Sequence, residues 1–145
     1  MIRRLLLSLG FALATAPAQA QGIPIAQMQC STTYMGYPFN GTILFQLLQY
    51  SGATDIGAAG LREQINLLLR MGRANEIPGT LMMNGHFETS GAFADFEATM
   101  AGNQGAGAIW MNGASHRATY ASFYVVKGGV VVVTEDQVRI DYSCQ

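Results

Sequence analysis

In 145 residues there are two cysteines, four prolines, one tryptophan and only 12% charged side chains. Cys30 and Cys144 stand alone in sequence and form neither a CxxC dithiol nor a metal-ligand pair, which leaves thiol redox chemistry and a structural zinc site without support. The apolar run near the N-terminus is shorter than the roughly 20 residues a membrane span needs, so no stable membrane span is expected. No lysine or arginine cluster is present, which argues against nucleic acid and against a cationic membrane-binding surface. A GxSxG elbow, an HExxH helix, an EF-hand loop and a P-loop are all missing. No internal repeat has a convincing period. No cofactor is implied.

What the chain does have begins with export. Arg3 and Arg4 precede the apolar stretch Leu5 to Ala14, and Ala18-Gln19-Ala20 offers small residues for cleavage, the three parts of a secretory signal. Residues 1–20 are therefore read as a cleaved signal peptide. The Ala/Gln-rich cleavage region is bacterial in style and points to a periplasmic or secreted protein; in a eukaryotic host Asn40-Gly41-Thr42 would be a glycosylation acceptor. Removing Arg3 and Arg4 leaves six basic against nine acidic residues, a net charge near -3. The other 125 residues suit one domain that would profit from a cross-link, and Cys30 with Cys144 would enclose almost all of it.

Residues 21–40, interrupted by Gly22, Pro24, Gly36 and Pro38, read as an N-terminal arm tied down at Cys30. Residues 41–145 read as a single α+β domain. Thr42 to Tyr50 puts Ile43, Leu47 and Tyr50 on one helical face, with a buried strand as the competing reading. A clearer helix follows, with Thr54 or Asp55 as N-cap, an apolar stripe of Ala58, Leu61, Ile65, Leu68 and Gly72, and an end at Gly72. After Pro78 the period changes to two. With Ser90-Gly91 as a turn, Thr89 faces Ala92, Phe87 faces Ala94 and His86 faces Asp95, so both strands put their apolar members on one side. Asn84-Gly85 reads as a bulge or a competing turn. Residues 101–107 read as a glycine-rich loop. A short strand at 108–111 is followed by the longest strand candidate at 117–126 and by strands at 130–134 and 138–142, the four valines from Val130 reading as central or covered on both faces. Val138, Ile140, Tyr142 and Cys144 share a parity that carries the last sulfur inward.

These elements predict an α+β fold, with one or two N-terminal helices packed on a curved antiparallel sheet of about five or six strands and the termini joined by a Cys30–Cys144 disulfide. Helix-then-meander order also occurs in cystatin-like and NTF2-like folds, with a pocket between helix and sheet, but no family motif is matched. The hairpin gathers His86, Glu88, Asp95 and Glu97 on one polar face, a set able to bind a hard or borderline metal or to supply an acid and a base. It reads equally as a solvated sheet face. Ser115-His116 is no evidence for a nucleophile and base, because triads are matched in space. Phe93, Trp110, Tyr120 and Tyr124 form a candidate binding surface, since some aromatics must face away from the helix side.

The leading expectation is an exported, non-catalytic binding module for a protein, glycan or envelope component, with a homodimer possible. A small hydrolase or metal-dependent enzyme using His86 with Glu88 and Asp95 is the first alternative. A subunit that polymerises by strand addition is the second.

Overall fold

The structure, a computed structural model, describes residues 22–53, 55–111 and 118–145. The expected signal segment and Ser115-His116 lie outside these. Eight strands follow one another: β1 (Ile23–Tyr34), β2 (Tyr37–Tyr50), β3 (Gly79–Thr89), β4 (Ala92–Ala101), β5 (Gln104–Met111), β6 (Ala118–Val126), β7 (Gly129–Thr134) and β8 (Arg139–Cys144). Each pairs antiparallel with the next, and β8 returns to β1, which closes the sheet into a barrel. The expected open sheet of five or six strands is thereby corrected. An open sheet needs helices to cover its apolar face, whereas this one curls until that face covers itself.

The two missing strands come from the segments read as an arm and as a helix. In β1, Ala26, Met28 and Cys30 are buried between exposed Gln27, Gln29 and Ser31, a period of two that starts only after the register shift between Pro24 and Ala26. In β2, Phe39, Ile43, Phe45 and Leu47 point into the core, while Leu44 and Leu48 are half-buried on the outer face. Those outward leucines imitate a helical stripe. Met35 and Gly36 join the two strands with φ of 53° and 82°, the left-handed pair of a tight hairpin turn. Gly41 and Gly107 allow the sheet to bend, because a Cβ on either would lie 1.9 Å from a carbonyl oxygen of the adjoining strand, that of His86 or Glu97.

The β3–β4 hairpin has the expected register, with Thr89 opposite Ala92, Phe87 opposite Ala94 and His86 opposite Asp95. No bulge forms at Asn84-Gly85. Gly85 pairs with Phe96, whose ring passes 2.3 Å from the place a Cβ would take. The segment read as a glycine-rich loop is largely strand: β5 starts at Gln104 and alternates small residues between the two faces. In β7, Val130 and Val132 fill the interior, and Val131 on the other face is also buried beside Tyr124 and Asp141.

Phe45, Phe87, Phe96 and Phe123 are fully buried inside the barrel together with Met83, Met100, Ile109 and Val132. Phe96 lies 5.2 Å from Phe123 and 5.4 Å from Tyr142 between ring centroids. The interior is thus a packed core, as eight strands permit. The expected second helix exists as α1 (Gly57–Arg70). Its N-cap position is Ile56 with no side-chain cap, which replaces the capping expected from Asp55; Thr54 lies outside the described residues. Ile65 and Leu69 are buried and Leu61 and Leu68 half-buried against the barrel core. The helix touches β1 and β6, and Gly128 N–H donates to Arg70 O at 3.1 Å. α1 therefore covers one end of the barrel rather than lying on a sheet face.

The exterior of β1, β3, β4 and β8 carries Gln27, Gln29, His86, Glu88, Asp95, Glu97, Arg139 and Asp141 in exposed or half-exposed positions. On these four strands the outward residues named are polar while the inward ones are apolar. Among the described residues no helix is long and apolar enough to cross a membrane.

Candidate binding face on the barrel exterior

Successive residues of a strand alternate between barrel interior and exterior. Because Phe87, Ala94 and Phe96 point inward, His86, Glu88, Asp95 and Glu97 must point outward. Three of the four meet. His86 Nδ1 lies 2.6 Å from Asp95 Oδ1, and Nε2 lies 2.8 Å from Glu88 Oε2. Both nitrogens donate only in the doubly protonated ring, so the pair of carboxylates favours imidazolium. Hydrogen bonding to Glu88, then to Asp95, raises the His86 pKa above its ordinary value. The cluster is open, with His86, Glu88 and Asp95 side chains 58%, 69% and 37% exposed.

That geometry limits the chemistry. A general base needs a free nitrogen and a site that excludes water, yet each nitrogen already has a carboxylate partner. No group of three or more His, Cys, Asp or Glu among the described residues is placed to hold a metal ion. That leaves the alternative metal role of His86, Glu88 and Asp95 without support. Glu97 lies outside the clasp and makes no ion pair among the described residues.

The strand registers place the clasp beside the aromatic residues. One row across the exterior runs His86, Asp95, Trp110; the next runs Asn84, Glu97, Ala108, Tyr120; a third runs Met82, Thr99, Ala106, Ser122. Trp110 and Tyr120 wall a groove of about 270 Å³ whose floor includes Ala106 and Ala108. Tyr120 also borders a second groove of about 330 Å³ with Tyr124, Val133 and Glu135. Its side chain, 71% exposed, is a ridge between them. Glu135 is held at that ridge by its backbone N–H, which donates to Tyr120 O at 3.0 Å.

Trp110, Tyr120 and Tyr124 are therefore brought together, and Phe93 is not. Phe93 lies nearer the Ser90-Gly91 turn, with its ring 6.5 Å from that of His86, and lines a separate cleft of about 360 Å³ with Tyr34, Tyr37 and Met111. Sequence reasoning missed Glu135, which reads as a turn residue, and the alanines of β5. The alternation of Ala106 and Ala108 with Gly105 and Gly107 was the available signal, but small side chains give it little hydrophobic contrast.

The fold defines a class: an up-and-down antiparallel barrel of eight strands, filled by side chains and closed by a Cys30–Cys144 disulfide. Such a bond fits an oxidising, extracytoplasmic compartment. Comparison with protein-family models, with curated proteins and with solved structures finds no match. Closure also bears on assembly by strand addition, which would require opening the seam between β1 and β8.

Proposed function

We propose that the protein is a non-catalytic binding module of the periplasm or the extracellular space, and that it recognises a protein or envelope component through the exterior of β4 to β7. The observation that carries this reading is Tyr120, an exposed aromatic ridge between two grooves with Trp110 on one side and Tyr124 on the other. Aromatic side chains set in grooves are the usual anchors of recognition surfaces, because they offer large contact areas at small entropic cost. The filled interior and the open, fully partnered His86 favour binding over catalysis. Tyr120→Ala and Trp110→Ala should each abolish capture of the cognate envelope partner, whereas Gln29→Ala on the opposite exterior should not. Equal capture by all three variants would refute the proposed face.

A further inference from the structure

We infer that this face takes a basic segment of a partner protein, with one lysine or arginine side chain in each groove beside Tyr120. The inference rests on the binding reading above and adds the chemistry of the occupant. The grooves, about 270 and 330 Å³, lie at the bottom of the range of about 300–1,000 Å³ typical of small-molecule pockets, and each suits a single long side chain. Each also has one carboxylate at its border, Glu97 in the first and Glu135 in the second. Among the described residues no lysine or arginine lines either groove. Glu97 and Glu135 make no ion pair among the described residues, whereas Glu88 and Asp95 are engaged by His86, Glu76 by Arg73 and Asp141 by Arg139.

Sign and shape agree. An ammonium or guanidinium lying against Trp110 or Tyr120 gains from the ring faces, and its alkyl stem fits over the small residues of β5. An anionic ligand would meet Glu97 in one groove and Glu135 in the other, with no lysine or arginine among the described lining residues. The grooves are centred over β4–β5 and β6–β7, about two strand spacings or roughly 10 Å apart. A segment in the polyproline II conformation rises about 3.1 Å per residue and returns to the same side every three residues, so two basic side chains three residues apart would both face the grooves.

Trp110 is the only tryptophan, so its fluorescence reads the first groove directly. The purified, oxidised protein would be titrated with acetyl-Gly-Lys-Gly-Gly-Lys-Gly-amide, with the same peptide carrying norleucine for lysine, and with chitohexaose. The expected result is a saturable change in Trp110 emission with the lysine peptide alone, weakened several-fold between 50 and 500 mM salt as screening requires. Glu97→Gln and Glu135→Gln should each weaken binding about fivefold, within the range of a surface charge pair backed by a cation–π contact. These substitutions are isosteric and exposed, and an unchanged circular dichroism spectrum confirms folding. No saturable change with the lysine peptide overturns the inference. So does equal binding of the norleucine peptide, or binding of chitohexaose that Glu97→Gln does not alter. In the chitohexaose case Tyr120→Ala would still abolish binding, leaving the recognition face intact and only the ligand class wrong. A concentration-dependent dimer lost in Tyr120→Ala would likewise replace the basic segment with a second copy.

Discussion

Cys30 lies directly opposite Cys144 in the ladder that closes the barrel, with 4.1 Å between their Cα atoms. Ser31 pairs with Ser143 on one side, and on the other Gln29 and Gln145 exchange backbone hydrogen bonds of 3.1 and 2.9 Å. This ladder is far shorter than the one joining β1 to β2. The covalent bond is therefore located at the seam with the fewest paired residues.

Replacing both cysteines by alanine should destabilise the protein by about 4–5 kcal/mol, the chain-entropy value for a loop of this size. Urea unfolding of the oxidised protein and the double variant measures it. Hydrogen exchange at Gln29 and Gln145 should accelerate before exchange at the β3–β4 hairpin. An unchanged midpoint together with unchanged seam protection would show that the bond is dispensable.

The barrel interior should be far less tolerant than the aromatic exterior. Phe96→Ala removes a fully buried ring packed on Phe87, Phe123 and Tyr142 and should cost about 3–5 kcal/mol. Tyr120→Ala, at an exposed position, should change stability by about 0.5 kcal/mol or less. Similar losses in the two variants would contradict the assignment of one residue to core and the other to surface.

His86 should titrate above its ordinary value of about 6.5, because Glu88 and then Asp95 stabilise its imidazolium. A raised folded-state pKa makes this contribution complete below the unfolded pKa and lost as pH rises through the folded one. Solvent screening at so exposed a cluster keeps its size to about 1 kcal/mol or less. NMR titration of the His86 ring tests it. Glu88→Gln and Asp95→Asn should each lower the midpoint, the first by more, and a midpoint indifferent to both would dissolve the clasp.

Tyr142 gives the opposite end of the pH scale. Burial in the core pushes its hydroxyl well above the ordinary tyrosine range. The folded state then holds a proton that the unfolded chain releases above about pH 10, so stability should fall as pH rises beyond that point. Absorbance titration at alkaline pH should show one tyrosine ionising only with unfolding. Reversible ionisation of all six tyrosines in the folded barrel would disprove the buried placement.

Legibility in the sequence followed hydrophobic contrast. Around Ser90-Gly91, Phe87 and Phe96 alternate with His86, Asp95 and Glu97, so strand, register and polar face could all be read before any fold was known. The stripe through Leu61, Ile65 and Leu68 marked α1 in the same way, and the parity of Ile140, Tyr142 and Cys144 marked the inward sulfur. Contrast failed in β2, where Leu44 and Leu48 occupy the exterior, and in β5, where alanine faces one way and glycine the other. Of the candidate site, the His86–Asp95 pairing was visible, but its position beside Trp110 was not, because that depends on how β5 pairs with β4.

By itself, then, the sequence determined the strand-rich second half, the polar edge of the hairpin and the pairing partners of the only two cysteines. These follow from local periodicity and from the absence of any other thiol. Tertiary structure decided that the sheet closes, that α1 covers an end instead of a face, and that Tyr120 is a ridge between two grooves. Closure depends on strand bending at inward glycines such as Gly41 and Gly107 and on a ladder between residues more than a hundred positions apart, and neither leaves a repeating pattern in the chain.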